Sequence, residues 1–239
     1  MKLAVDIGNT SVKAALVKNE VIVRRERLPN ASPEIIARFV GRRRLEGAIV
    51  SSVGDDPAPL LSWLKSRTSR VHHLSCSSRY PFAIDYETPE TLGSDRLAAA
   101  AGACFHHPGS ELLIIDAGSA LTVDQVYGGA FRGGSISPGI VMRFRALHEH
   151  TGRLPLVTKR SGFTFPGKTT EDAIAGGVIM GLAYEIIEYI RTFGKKHHNS
   201  VTVITGGDGE IITSLTGGKA LYYPDLVTEG LIYLLETNV

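Results

Sequence analysis

The chain has 239 residues, of which 43% are hydrophobic and 21% charged, and its formal net charge is +2 with histidine neutral. This composition is that of a globular protein with enough apolar material for a sizeable core. The near-neutral charge gives no support to nucleic-acid binding or to attachment at a membrane surface, so we expect neither kind of partner.

The sequence also bears on the cellular compartment. The first residues lead directly into a short apolar strand and not into a signal peptide, and no apolar run approaches the ~20 residues of a membrane helix. The two cysteines, Cys76 and Cys104, are far apart and form no CxxC pair. We therefore expect a cytoplasmic protein with reduced thiols.

The first part of the chain reads as an antiparallel meander followed by alternating helices and strands. Apolar runs at 3–5, 12–17 and 21–23 predict three strands. We then predict a helix over 33–39 with Ser32 as its N-cap, a buried strand over 47–53 and a helix over 57–65. A polar loop over 75–93 and an alanine-rich helix over 95–105 follow. A loop of this length inside a compact domain is usually functional.

The second part repeats the opening pattern. D-I-G-N-T at 6–10 and D-A-G-S-A at 116–120 each follow a hydrophobic strand, and a further strand is predicted after each turn. A long helix over 170–193 and a strand over 201–204 follow, and then a glycine-rich turn over 205–209 and a last helix over 226–235. The repeat is weak, but its period of about half the chain predicts an α/β fold of two duplicated halves, residues 1–110 and 111–239.

The aspartate–glycine turns suggest phosphate binding. A glycine in a tight turn lets backbone N–H groups approach an anion, and a carboxylate at a strand end, such as Asp6, can hold Mg²⁺ beside the phosphates. The turn after Asp6 adds polar donors and the positive charge of Lys13. One such turn could be a plain hairpin, because Asp, Gly and Asn are turn formers. Two copies and a third glycine-rich turn favour the phosphate site.

This set of three turns resembles the phosphate-1, phosphate-2 and adenosine motifs of the superfamily that contains sugar kinases, heat-shock ATPases and actin. The resemblance implies two ribonuclease-H-like halves with ATP between them. It assigns the ATP phosphates to Asp6, Ile7, Gly8, Asn9, Thr10, Ser11, Val12, Lys13 and Ser119, and the adenosine to Gly206 and Gly207.

A second motif is more specific. Residues 86–96 read Y-E-T-P-E-T-L-G-S-D-R and resemble the Y-x-x-P-x-x-L-G-x-D-R signature of type III pantothenate kinases at every fixed position. Further matches follow in the family's order at 133–139, 150–155 and 167–174. The resemblance implies ATP-dependent phosphorylation of pantothenate to 4′-phosphopantothenate, the first committed step towards coenzyme A.

The same resemblance implies roles for single residues. Asp95 would be the catalytic base, Asp116 would hold a monovalent cation, K⁺ or NH₄⁺, and Mg²⁺ would accompany ATP. The pantothenate pocket would be formed by Tyr86, Gly93, Ser94, Asp95, Arg96 and Thr170. Ser119 stands where the family more often has Thr, which keeps a hydroxyl, and Gly152 stands where Ala is expected, which affects local packing.

The chemistry of Asp95 can also be argued without the resemblance. Phosphoryl transfer to an alcohol needs a group that accepts the hydroxyl proton, and a positioned carboxylate can do this. Arg96 can pair with a substrate carboxylate or can orient Asp95, and the sequence leaves both readings open. Asp95 and Arg96 could also be a helix-start pair, with Asp95 favoured by the helix dipole, and this role is compatible with catalysis.

The working unit implied by the resemblance is a homodimer. The helix predicted over 170–193 has apolar residues on more than one face and is interrupted by Gly176, Gly177 and Gly181. A surface helix of a monomer needs only one apolar stripe. Either a second subunit or the interior of one subunit would cover the remaining face.

Three alternatives to the pantothenate kinase remain at the sequence level. Relatives of this family have been described as transcriptional accessory factors, which would make the chain a binding protein without turnover. The acceptor could instead be another small alcohol. A chaperone-like or filament-forming ATPase is disfavoured, because the chain is short and contains no separate substrate-binding domain.

Overall fold

The structure is a computed structural model that describes residues 1–54, 56–158 and 162–239. The elements in chain order are β1 (Lys2–Ile7), β2 (Val12–Lys18), β3 (Val21–Leu28), α1 (Pro33–Val40), β4 (Gly47–Ser52), α2 (Ala58–Lys65), β5 (Val71–His73), β6 (Ala83–Ile84), a single 3₁₀ turn (Pro89–Thr91), α3 (Ser94–His106), β7 (Glu111–Ala117), β8 (Ala120–Tyr127), β9 (Ala130–Pro138), α4 (Ile140–Glu149), α5 (Thr170–Lys196), β10 (Ser200–Thr205), α6 (Gly209–Leu215), β11 (Leu221–Tyr222) and α7 (Leu226–Asn238). Every element predicted from the sequence is present within a few residues of its predicted bounds. The short strands β5, β6 and β11, the strand β9 and the helices α4 and α6 were not predicted.

The chain divides into two compact units. Unit 1 contains Met1–Gly109, Gly128–Arg132 and Asp225–Val239, and unit 2 contains Ser110–Tyr127 and Gly133–Pro224. The units differ from a division of the chain at residue 110, because the start of β9 and the whole of α7 pack with the first unit. α7 belongs to unit 1 because it packs against α3 and against strands β1 and β4 of the first sheet.

Unit 1 is built on a five-stranded sheet with the order β3-β2-β1-β4-β5. β2 pairs antiparallel with β1 and β3, whereas β4 pairs in parallel with β1 and β5. The central strands are buried on both faces, which explains their nearly continuous apolar sequence. α1 begins where predicted, because the Ser32 hydroxyl accepts a hydrogen bond from the backbone N–H of Ile35 at 3.4 Å.

The strands of unit 2 follow the same plan. Their order is β11-β10-β7-β8-β9, with β8 antiparallel and β10 parallel to β7. The strand order therefore matches that of unit 1 when β7 is placed on β1. Asp6 lies opposite Lys13 and Ser51, and Asp116 lies opposite Thr122 and Thr205. The two aspartates hold equivalent places, and the predicted α/β fold of two duplicated halves is confirmed.

The long helix α5 forms much of the core of unit 2. Ile174, Val178, Ile179, Leu182 and Ile186 are buried there against strands β7 and β10 and their neighbours. The helix is also long and apolar enough to cross a membrane, with a mean hydropathy of 1.5 over its most apolar window, half of which is buried inside the structure. The expectation from sequence was that no apolar run approaches the ~20 residues of a membrane helix, and α5 passes the test of length and composition although Glu185 and Glu188 interrupt its apolar residues. Length and composition alone do not separate a core helix from a membrane span.

Candidate functional site

The first aspartate–glycine turn is a tight hairpin between β1 and β2 in unit 1. Ile7 pairs with Val12, and the Gly8 N–H donates to the Ser11 carbonyl at 3.2 Å. Asn9 and Thr10 at the tip are exposed. A β carbon on Gly8 would lie 3.3 Å from the same Ser11 oxygen, so the absence of a side chain keeps the hairpin tight.

Asp6 is a buried carboxylate at the end of β1. Its Oδ2 lies 4.0 Å from the Lys13 ammonium, and its Oδ1 is buried and accepts no hydrogen bond from the residues that the structure describes. Burial raises the pKa of Asp6, the Lys13 charge opposes this, and the negative charge of Asp95 raises it further. A hydrogen bond from Ser51 also lowers the pKa. The environment of Asp6 therefore favours a cation that would compensate its charge.

The residues around Asp6 fit a divalent cation bound together with nucleotide phosphates. The described residues contain no group of three His, Cys, Asp or Glu side chains that could hold a metal by themselves. Mg²⁺ is usually bound by one or two carboxylates, with water and substrate phosphates completing the shell. The buried Oδ1 of Asp6 provides one such carboxylate oxygen.

Asp95 lies in the first turn of α3, close enough to Asp6 for their charges to interact. Its Oδ1 accepts a hydrogen bond from the Arg96 N–H at 2.9 Å. A β carbon on Gly93 would lie 2.5 Å from that oxygen, so a side chain at this position would displace the carboxylate from its place over the start of the helix. The Asp95 carboxylate therefore lies against the backbone at the start of α3.

Ser51 connects the phosphate hairpin with the start of α3. It is fully buried at the end of β4, next to Asp6 in the parallel pair of β1 and β4. Its hydroxyl lies 2.9 Å from that of Ser94, which also donates to the Ser52 carbonyl at 3.3 Å. Two motifs that are about 90 residues apart in sequence thus meet through one hydroxyl pair in unit 1. Ser51 was not among the site residues predicted from the sequence, although a serine at the end of a buried apolar strand was an available signal.

Tyr86 and Arg96 meet at Phe131, a residue of β9 that belongs to unit 1. The Arg96 guanidinium carbon lies 5.8 Å from the centre of the Phe131 ring, and the Tyr86 and Phe131 ring centres are 6.4 Å apart. Arg96 is 7% exposed. Phe131 was missed, because its approach to the 86–96 motif depends on the pairing of β6 with β9, which no local pattern predicts.

A cavity of about 530 Å³ adjoins the start of α3 in unit 1. It is lined by the segment after β5, including Leu74, Ser75 and Cys76, by the end of β4 and the described residues after it, and by the segment that ends in Gly93 and Ser94. The volume lies within the ~300–1,000 Å³ typical of small-molecule sites. Unit 1 thus places a pocket of ligand size beside Asp95.

The second aspartate–glycine turn and the glycine-rich turn are neighbours in unit 2. Gly206 has a φ of +92°, and a β carbon there would lie 2.3 Å from Asp116 Oδ1. The Asp208 N–H donates to the Ala117 carbonyl at 2.9 Å. Ser119 is exposed, and its carbonyl accepts from the Gly139 N–H at 3.2 Å. The two turns that resemble phosphate-2 and adenosine motifs therefore meet around Asp116.

Thr170 is the exposed first residue of α5. The helix is capped by the preceding residue, Thr169, whose hydroxyl accepts from the Asp172 N–H at 3.1 Å. A β carbon on Gly167 would lie 2.3 Å from the Ala173 nitrogen, so this glycine lets the chain turn closely into the helix. The Thr170 side chain is left accessible at the helix start.

Comparisons with known proteins identify the family of this chain. The family model of type III pantothenate kinases matches residues 2–192. A curated type III pantothenate kinase of Porphyromonas gingivalis strain W83 is 40% identical over 99% of this chain and 98% of the relative. One of Bacteroides fragilis strain YCH46 is 38% identical over 100% of this chain and 98% of the relative.

Solved structures show the same fold at lower identity. A ROK family glucokinase from Streptomyces griseus, solved with glucose and AMPPNP, has a TM-score of 0.58 at 13% identity, covering 99% of this chain and 98% of its own. A Campylobacter jejuni protein described as a Baf family transcriptional activator has a TM-score of 0.64 at 24% identity, with 98% of both chains covered. The chain therefore belongs to the type III pantothenate kinase family, and its fold is that of the sugar kinases and actin-like ATPases.

Proposed function

We propose that this protein transfers the γ-phosphoryl group of ATP to the primary hydroxyl of pantothenate and so produces 4′-phosphopantothenate for coenzyme A biosynthesis. Membership in the family supports the reaction and both substrates. The observation that carries the proposal is local to unit 1: a phosphate-type hairpin ending in Asp6 lies next to the helix start that bears Asp95, with a cavity beside it.

Each of the two aspartate–glycine turns is proposed to contact nucleotide phosphates. Backbone N–H groups of the first hairpin and the Lys13 ammonium face the phosphates, and Ser119 adds a hydroxyl from the second turn. The contacts proposed are those of Asp6, Ile7, Gly8, Asn9, Thr10, Ser11, Val12, Lys13 and Ser119, with Gly206 and Gly207 near the adenosine. Oriented backbone amides and a lysine are the usual means of stabilising a transferring phosphoryl group.

Asp95 is proposed as the base. Its carboxylate accepts the proton of the acceptor hydroxyl as that oxygen forms a bond to the γ-phosphorus, and the bond from the γ-phosphorus to the bridging oxygen breaks to release ADP. Asp6 is proposed to hold Mg²⁺, which when bound supplies positive charge against the β and γ phosphates. The closeness of Asp6 and Asp95 supports this division of roles, because one carboxylate serves the cation and the other the proton.

The acceptor is proposed to contact Tyr86, Gly93, Ser94, Arg96 and Thr170. Arg96 is positively charged and lies against an aromatic ring, which suits a carboxylate-binding or an orienting role. Asp116 is proposed to hold a monovalent cation, K⁺ or NH₄⁺. The close approach of Gly206 to its carboxylate supports a compact site for an ion there.

The working unit is proposed to be a homodimer in the cytoplasm. Burial within unit 2 accounts for most of the apolar residues of α5, including Ile174, Val178 and Ile186. The dimer is supported by the large apolar side chains that α4 and α5 leave exposed on unit 2, namely Val141, Met142 and Tyr184. A second subunit that covered them would remove this apolar surface from water.

The decisive experiment incubates the purified protein with ATP, Mg²⁺ and pantothenate and measures ADP together with a phosphorylated product by mass spectrometry. We expect stoichiometric ADP and 4′-phosphopantothenate. Parallel reactions with glycerol, pantetheine and sugar alcohols test the rival acceptors. ATP binding without any phosphorylated product would instead favour a binding protein of the kind named for the Campylobacter jejuni neighbour.

A further inference from the structure

Asn238, near the end of α7, holds the segment after β5 through both backbone polar groups of one residue. Its Oδ1 accepts from the Arg79 N–H at 2.8 Å, and its Nδ2 donates to the Arg79 carbonyl at 3.0 Å. Nδ2 also donates to the Leu234 carbonyl at 2.8 Å, which fixes the amide to its own helix. A primary amide accepts through its oxygen and donates through its nitrogen, so the pair of contacts depends on the identity of the side chain.

The segment held by Asn238 is tied together internally. We call residues 74–80 the wall loop. The Tyr80 hydroxyl donates to the Ser75 carbonyl at 2.7 Å, and the Ser75 N–H donates to the Ser78 hydroxyl at 3.1 Å. Ser78 also contacts His72 Nε2 of β5 at 2.8 Å. Because these hydrogen bonds connect the residues of the loop, a displacement of Arg79 also moves Ser75 and Cys76.

The wall loop and the segment before α3 line the same cavity. Leu74, Ser75 and Cys76 come from the wall loop, and Leu92, Gly93 and Ser94 come from the segment directly before Asp95. None of the described residues that line the cavity is Lys or Arg, and two of them are carboxylates, Asp56 and Glu90. The cavity thus suits an uncharged group with hydroxyls and an apolar body, and disfavours an anion.

We propose that Asn238 is a positioning residue for the acceptor: by fixing the wall loop it sets the width of the cavity that receives the uncharged, hydroxyl-bearing end of pantothenate. The inference rests on the proposed function for the identity of the acceptor. The apolar side chains of Leu74 and Leu92 face the geminal methyl groups of that end, while its hydroxyls face Ser75, Ser94 and Asp95.

This role predicts a specific kinetic signature. Asp95 is held by α3, by Gly93 and by the Ser51–Ser94 contact, none of which involves the wall loop. Loosening the wall loop therefore weakens acceptor binding and leaves the chemical step nearly unchanged. A change confined to binding raises KM with little effect on kcat.

The test uses Asn238→Asp in the full chain. Asp keeps the size of the side chain but presents an acceptor to the Arg79 and Leu234 carbonyls, so both hydrogen bonds donated by Nδ2 become repulsions and the tie to the wall loop is lost. We expect the KM for pantothenate to rise about 5- to 10-fold, the range for loss of one such hydrogen bond. We expect kcat within about twofold of wild type and an unchanged KM for ATP. Tyr80→Phe loosens the same loop without touching α7 and should give the same pattern.

Thr237→Ala is the matched control. Thr237 lies beside Asn238 but donates only to the Tyr233 carbonyl of its own helix, at 2.9 Å. Its replacement should leave both kinetic constants at their wild-type values.

A second readout does not depend on turnover. N-ethylmaleimide labelling of Cys76, located by peptide mass spectrometry, should be faster in Asn238→Asp and Tyr80→Phe than in wild type and Thr237→Ala. Saturating pantothenate should slow the labelling of Cys76 in wild type. Wild-type KM and labelling rates in both variants would overturn the proposal, as would a loss of kcat at unchanged KM. A wild-type protein that does not phosphorylate pantothenate would refute the proposed function, and the labelling rates would still decide the role of Asn238.

Discussion

Gly230 of α7 lies so close to Ala98 of α3 that a β carbon on the glycine would stand 1.9 Å from the Ala98 carbonyl oxygen. The contact is reciprocal, because a β carbon on Gly102 would lie 2.4 Å from the Leu226 carbonyl. The two helices of unit 1 therefore cross backbone against backbone. Since α3 carries Asp95 in its first turn, α7 helps to fix the helix that presents the proposed base.

The first prediction concerns this crossing. Gly230→Ala forces α7 away from α3, so the free energy of unfolding should fall by ~1–3 kcal/mol, the usual cost of overpacking. Urea denaturation followed by circular dichroism measures the change. Gly194→Ala in α5 is the control, because its β carbon would meet nothing closer than Ser200 Oγ at 3.8 Å. That variant should be stabilised by up to ~1 kcal/mol. Equal stabilities for the two variants would contradict the crossing.

The second prediction concerns Asp95. Asp95→Asn keeps the shape of the side chain and removes the proton acceptor, so kcat should fall by the ~10²–10⁴-fold that general-base loss costs. Coupled ADP release measures the rate, and the melting temperature checks the fold. Glu188→Gln, which removes a carboxylate from the exposed surface of α5, should keep full activity. Wild-type turnover in a folded Asp95→Asn protein would remove Asp95 from the mechanism.

The third prediction concerns the proposed monovalent cation at Asp116. Activity with saturating Mg²⁺–ATP should require K⁺ or NH₄⁺ and should drop when Na⁺ or Tris replaces them at equal ionic strength. Asp116→Asn removes the charge that holds the ion, so its residual activity should no longer respond to K⁺. Equal wild-type rates with and without K⁺ would leave Asp116 with a structural role or a role at Mg²⁺.

The fourth prediction concerns the homodimer. If Thr170 completes the acceptor pocket of the neighbouring subunit, a mixture of inactive Asp95→Asn and inactive Thr170→Trp proteins should regain activity, because hybrid dimers contain one intact site. Each variant measured alone is the control. Light scattering that shows a fully active monomer at working concentration would refute the dimer.

The fifth prediction concerns Cys104. Burial in α3 raises the pKa of the Cys104 thiol to about 11. The thiolate is the nucleophile, so in a Cys76→Ser variant alkylation by iodoacetamide should be slow at pH 8 and should rise about tenfold per pH unit up to pH 10. A rate that levels off below pH 9.5 would show a less protected thiol. Labelling of the unfolded protein in urea provides the reference rate.

Much of this molecule is determined by local sequence. The alternating apolar strands, the Ser32 cap and the Asp–Gly turns gave the meander, α1 and both phosphate hairpins, because each depends on residues within a few positions of one another. The repeat around Asp6 and Asp116 likewise predicted two halves that each begin with strand, turn and strand, and the structure adds that the strand order of the two is the same. The 86–96 motif was sufficient to indicate the family that the comparisons show.

Tertiary structure alone decided which distant residues meet. Ser51 and Ser94 are 43 positions apart, and Arg79 and Asn238 are 159 positions apart, so no local periodicity relates them. The return of α7 to unit 1 follows from a close backbone crossing that needs glycine on both helices, and a glycine within a helix does not reveal its partner. Long-range pairing is selected by packing and by satisfaction of buried hydrogen bonds, which are properties of the folded chain as a whole.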